Sequence, residues 1–185
     1  MIKLQLDTLE SGIPALTSKR AGVHMEACVW CLLECGHNNQ VTLKVTEQQK
    51  KNYLYKISWS EDKIDIEAIN RAYNEDDGPE EGAVAIALLL IRERTDYTAV
   101  RRSVTGTGID YWLDYKNIQN NQIFGRGCAR LEISGILKQS STNKPQYRIS
   151  KKLKQIQQSD STGFPAYIVV VEFSQPKAEV IYRNV

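Results

Sequence analysis

The chain has 185 residues, of which 42% are hydrophobic and 25% charged. These values suit one mixed domain, or a small domain with an appendage, and exclude collagen-like, coiled-coil and wholly disordered classes. With 24 basic against 22 acidic residues the formal charge is +2, so attraction to nucleic acid has to come from local clusters.

The longest apolar run, Ala83 to Ile91, is about half of what a bilayer span needs. The first residues alternate apolar and polar without the unbroken stretch of a secretory leader. The expectation is a cytoplasmic protein with no membrane segment and no disulfides.

In chain order, alternation of Ile2, Leu4 and Leu6 predicts a strand, which Ser11-Gly12-Ile13-Pro14 breaks. A helix follows from about Gly22 to Cys35, with Gly36 where a left-handed C-terminal cap belongs. Residues 41–45 and 53–59 alternate strictly around a polar stretch and predict an antiparallel hairpin. Ile64, Ala68, Ile69 and Tyr73 have weak helical spacing. Asn74-Glu75-Asp76-Asp77-Gly78-Pro79 reads as a boundary, placing an N-terminal α/β region at 1–78 and a second domain at 79–185.

Glu80 to Arg94 predicts a helix that is apolar nearly all round, with acids at its positive end and arginines at its negative end. Strands are expected at 97–103, 109–115 and 129–136, with a polar loop at 117–127. A basic amphipathic helix spans 147–158, carrying Ile149, Leu153 and Ile156 at helical spacing. The β-branched run 166–173 reads as a strand covered on both faces. The fold class is α+β: a mixed central sheet in helix-strand-strand-strand-helix-strand order, preceded by a small α/β region with a hairpin.

Chemistry is concentrated in two acids of that second part. Asp110 follows Thr105-Gly106-Thr107-Gly108-Ile109, where two glycines allow a tight turn before a strand. Glu132 lies in Ala129-Arg130-Leu131-Glu132-Ile133-Ser134, a segment suited to burial. On adjacent strands the two carboxylates converge at one sheet end, and such oxygen donors suit Mg²⁺ or Mn²⁺. Read one at a time, Asp110 caps a turn and Glu132 pairs with Arg130 or Arg101.

His24, Cys28, Cys31, Cys35 and His37 have zinc-ligand chemistry. The first four form one straight helical stripe, which cannot wrap a metal tetrahedrally. Buried core thiols and no structural zinc are therefore expected. Lys144, Arg148, Lys151, Lys152 and Lys154 place five positive charges in eleven residues without an acid among them, as a solvated face or a phosphate-contacting one. Ser103 to Gly108 is glycine-rich but lacks the Lys and Ser/Thr of a Walker loop, and no Gly-x-Ser-x-Gly elbow occurs.

From Glu80 to Phe173 the residues resemble the core of the restriction-endonuclease-like PD-(D/E)xK nuclease superfamily: helix, three-stranded meander, helix, strand, with an Asp on the second strand and Glu-x-Lys on the third. The resemblance implies that Asp110 and Glu132 are catalytic and metal-binding, joined by Glu81 as the acid some members carry on the first helix. The carboxylates of such enzymes hold one or two Mg²⁺ ions while a water attacks the phosphodiester and the lysine orients it. Here Ser134 stands in the lysine position. Lys138, four residues on, and Lys151, Lys152 and Lys154 on the next helix are the candidates to replace it.

The resemblance implies a metal-dependent nuclease or nuclease-like nucleic-acid-processing subunit, of the kind that works in prokaryotic restriction or anti-phage defence complexes. The alternative is a catalytically inactive, nuclease-derived scaffold acting through a partner protein. The expected partners are nucleic acid, DNA or RNA, and a protein partner or second copy of the chain.

Overall fold

A computed structural model describes residues 1–48, 51–116 and 129–185. Within them one eight-stranded mixed sheet runs in the order β1-β3-β2-β8-β7-β6-β5-β4. Its strands are β1 (Ile2–Gln5), β2 (Thr42–Glu47), β3 (Lys51–Ser58), β4 (Tyr97–Arg102), β5 (Tyr111–Tyr115), β6 (Ala129–Ile136), β7 (Ala166–Glu172) and β8 (Lys177–Arg183). The helices are α1 (Ser18–Glu34), α2 (Ile66–Ala72), α3 (Gly78–Arg94) and α4 (Pro145–Gln155). The fold is α+β. The polar loop expected at 117–127 lies outside the described residues.

The hairpin of β2 and β3 is antiparallel, as its alternation predicts. Strands β4, β5 and β6 form an antiparallel meander, and α4 carries the chain over to β7, parallel to β6. Helix α1 begins four residues earlier than expected because the Thr17 side chain accepts from the Arg20 N–H and caps it there.

Strand β8 is the element that the pattern of the sequence does not announce. It pairs antiparallel with β7 on one side and parallel with β2 on the other. The expected division at residue 78 falls at the first turn of α3. The sheet runs unbroken across that division through β8, and one apolar core joins Leu43, Val45 and Ile57 to Ile86, Leu90, Leu131 and Val169.

Successive strand residues point to opposite faces, so the two apolar clusters identify the layers. Ile133, Val169 and Val171 belong to the large core under α1 and α3. Ile136, Ile168 and Val170 belong with Ile156, at the end of α4, to a smaller cluster on the other face. β6 is therefore sandwiched and buried at every position. Its Gly135 allows the tightest approach: a Cβ there would lie 1.8 Å from the Pro79 carbonyl oxygen, so the first turn of α3 rests directly on the strand. Among the described residues no helix is long and apolar enough to cross a membrane.

Candidate functional site

The site arises from a mismatch in strand length. β5 pairs with β6 only as far as Tyr111 opposite Leu131, because the glycine-rich segment before it turns away. Beyond Leu131 the β6 N–H groups on that side have no strand partner, and a buried N–H without an acceptor is costly. Two carboxylates supply the acceptors. Asp110 Oδ2 takes the N–H of Ile133 at 2.7 Å, and Glu80 Oε2 takes that of Gly135 at 2.9 Å. The open edge of β6 is thus an acid-lined notch between the first turn of α3 and the loop preceding β5.

Glu132 sits between these positions on the α4 face, only 1% exposed. Its Oε1 accepts from Lys152 Nζ at 2.5 Å and from Gln155 Nε2 at 2.8 Å, while Oε2 is buried without a hydrogen-bond partner. Burial, and then the nearby Asp110 carboxylate, push the Glu132 carboxyl up to about 8, against the Lys152 ammonium, which holds it down.

A cavity of about 290 Å³ opens on this notch, lined by Arg20, His24, Glu80, Glu81, Arg102, Asp110, Tyr111 and Lys152 among others. Glu81 is ion-paired to Arg20 at 3.2 Å and lies 2.8 Å from His24 Nδ1. His24 first, then Arg20, hold the Glu81 carboxyl down to about 2, although burial opposes them. Both ring nitrogens of His24, itself 1% exposed, lack a partner in hydrogen-bond geometry; the Glu81 contact is close in distance but poorly aligned.

Asp110, Glu81 and Lys152 therefore border one cavity, with Glu132 behind Lys152. Ser134 is fully buried and donates to Glu80 at 3.2 Å. Lys138 lies elsewhere, past the end of β6 and 3.8 Å from Glu34, so as a catalytic candidate it is displaced from the carboxylates by the strand's end. Of the basic helix, Lys152 meets Glu132, and Arg148 meets Asn143 at 2.8 Å and Glu80 at 3.4 Å. Lys144, Lys151 and Lys154 are exposed. Glu132 does not pair with Arg130, which is instead bound to Asp160 at 3.1 Å.

Glu80, Gln155, Arg20 and Arg102 are site residues that the sequence motifs do not single out. Gln155 was readable, since it follows Lys152 by three positions on the same side of the Ile149-Leu153-Ile156 stripe. Glu80 was not, because its role depends on where β5 stops. In the first helix Cys28 and Cys31 are buried and Cys35 half-buried. Burial pushes all three thiols up, that of Cys35 to about 11.

Among the described residues, no three His, Cys, Asp or Glu side chains are drawn together closely enough to form a metal cluster as they stand. The chemistry of the pair nonetheless fits a hard divalent cation, because a partnerless buried carboxylate oxygen beside a second carboxylate is what such an ion relieves. Compared with protein-family models, curated proteins and solved structures, the chain matches none of them.

Proposed function

We propose that the protein is a nuclease of the PD-(D/E)xK type, with Asp110 and Glu132 holding Mg²⁺ or Mn²⁺ and Lys152 taking the place of the motif lysine. The observation that carries this reading is the contact of Lys152 with Glu132 at 2.5 Å, delivered from α4 to the strand whose lysine position is Ser134. A divalent ion bound there supplies charge stabilisation to the phosphate and a lower pKa to a water.

The chain's own groups do the rest. Gln155 fixes the Glu132 carboxylate in place from its second donor. Asp110 is held by the Ile133 N–H. Lys152 Nζ, held against Glu132, stands in the role of orienting the attacking water. Lys151 and Lys154, exposed on the same helix, are suited to phosphates on the outer surface. The element order from α3 to β7 agrees with the core of that superfamily.

The test is incubation of the pure protein with single- and double-stranded DNA and RNA, with Mg²⁺, Mn²⁺ or chelator. Metal-dependent cleavage that disappears in both Asp110→Asn and Lys152→Met is expected. Absence of cleavage of every substrate, alone or with a partner protein, removes the catalytic reading.

A second reading, an inactive nuclease-derived scaffold, is favoured by one observation: Ser134 is fully buried against Glu80, so the motif position itself offers no charge. Ser134→Lys discriminates. It restores cleavage to a scaffold that lacks only its lysine, and adds nothing where Lys152 already serves.

A further inference from the structure

We propose that Arg102 and the loop Ser103 to Gly108 form an anion subsite that holds the phosphate next to the scissile one in the same strand. The substrate would then be a polynucleotide strand and not an isolated phosphate ester. This rests on the nuclease reading and adds to it a phosphate-holding residue that the resemblance does not supply.

A second cavity of about 330 Å³ adjoins the first, and Arg102 and Asp110 line both. Its other walls include Ser103, Thr105, Gly106 and Gln155, and Asp110 is its one acid among the described residues. The cations bordering the two cavities differ. Arg20 is paired with Glu81 and Lys152 with Glu132. Arg102 is exposed and, among the described residues, its side chain has neither an acid nor a hydrogen-bond partner. An unpaired guanidinium facing a polar cavity beside a metal-type carboxylate is suited to a phosphate oxygen.

The loop is built into the same block as the carboxylates. Arg102 pairs with Tyr111 at the end of β4, and the Ser103 N–H donates to the Asp110 carbonyl at 2.7 Å. Across the turn the Ser103 and Thr107 hydroxyls are hydrogen-bonded at 2.6 Å. Gly108 has φ +73°, and a Cβ on it would lie 2.2 Å from the Gln155 carbonyl oxygen, so the loop is seated on the residue that holds Glu132. A phosphate gripped by Arg102 is thereby at a fixed distance from Asp110. Gly106, with φ +94° and no heavy atom within 4 Å of a Cβ position, leaves the mouth of the second cavity open.

The experiment uses the full chain carrying Asp110→Asn, so that binding is read without cleavage, and a fluorescein-labelled 20-nucleotide DNA, single-stranded and as a duplex, in anisotropy titrations over a range of salt. Adding Arg102→Gln should weaken binding about tenfold. It should also flatten the slope of log affinity against log salt by about 0.7 for the single strand or 0.9 for the duplex. Arg102→Lys should recover part of the loss. Arg101→Gln, exposed at the neighbouring position of β4, should leave binding within about twofold, and thermal melting should be unchanged in all three.

If the Asp110→Asn chain binds DNA and Arg102→Gln binds it equally well with the same salt slope, the subsite is refuted while the nuclease reading stands. An equal loss in Arg101→Gln also refutes it, since the effect is then general surface charge. If the Asp110→Asn chain binds neither DNA nor a matching RNA, the nucleic-acid reading itself fails.

Discussion

Two ion pairs fasten β6 to the segment that follows it, two residues apart on the same strand face, and they are built in opposite ways. Arg130, with no exposed surface, donates to the carbonyls of Phe164 and Ile156, to Ser159 Oγ and to Asp160, whose carboxylate also receives Arg183. Its buried charge is surrounded by acceptors. Glu132 has one satisfied oxygen, one bare oxygen and a second carboxylate nearby. The first pair is complete, and the second leaves a buried oxygen without a hydrogen-bond partner. A buried group that a fold keeps unsatisfied, when the neighbouring position shows it can satisfy one, is a candidate for function and not for stability.

The sharpest way to break this comparison is Arg130→Ala. It leaves the Phe164 carbonyl without its donor, takes one of their donors from Asp160 and the Ile156 carbonyl, and opens a cavity, and should cost about 3–5 kcal/mol in urea unfolding. Glu132→Gln should cost nothing, or stabilise by up to ~1 kcal/mol, because a neutral side chain there meets no penalty from burial or from Asp110 while retaining an oxygen for Lys152. A large drop in stability in Glu132→Gln would mean that the pair is structural after all. On the nuclease reading the same variant should cleave at least about a hundredfold more slowly.

Acidity sharpens the contrast, since the two pairs should respond in opposite directions. Asp160 is held down to about 2, by Arg183 first and then Arg130. The stability it contributes is present above the ordinary carboxyl value and disappears as pH falls toward 2. Glu132 is raised to about 8, so the folded chain retains a proton that the unfolded chain releases, and stability declines as pH climbs from the ordinary value, about 4.3, toward 8. Urea midpoints across pH 3 to 9 should show the acid limb shrinking in Asp160→Asn and the upper slope flattening in Glu132→Gln.

Smaller effects mark the edges of the comparison. Replacing Cys28 and Cys31 together by alanine should cost a few kcal/mol at most, about 1–2 for each thiol removed, and leave the zinc content of the purified protein unchanged. Stoichiometric zinc that disappears in the double variant would overturn the packing role. Neutralising Lys151 and Lys154 should shift stability by no more than about 0.5 kcal/mol. It should still weaken nucleic-acid binding, with the salt slope falling by up to about 0.9 for each duplex phosphate that is no longer neutralised.

Much of the region around the site was readable from pattern. Alternation and apolar runs locate β2, β3, β6, β7 and α3, because burial on one or both faces leaves a period in the sequence. The phase of α4 could also have been read further: of its lysines, Lys152 lies nearest the Ile149-Leu153-Ile156 stripe, which turns it toward the sheet, while Lys151 and Lys154 point away. The partner of Arg130 could not be read, since Asp160 is 30 residues distant and a buried arginine in a strand looks like an exposed one until its acceptors are known. The apparent boundary at residue 78 misled for a physical reason. Acid, glycine and proline announce the start of a helix equally well whether or not a domain ends there, and the strand that crosses it, β8, is short, partly exposed and about 100 residues downstream.

That last strand has a consequence for how the protein is made. During synthesis the pairing surfaces of β2 and β7 both emerge before residues 177–183, the strand that lies between them, so the sheet stays in two pieces until those residues have left the ribosome. Until then the nascent chain carries the unpaired edge of β2, joined just before β8 by that of β7, and these edges can stick to other chains, the period in which a chaperone would be most needed.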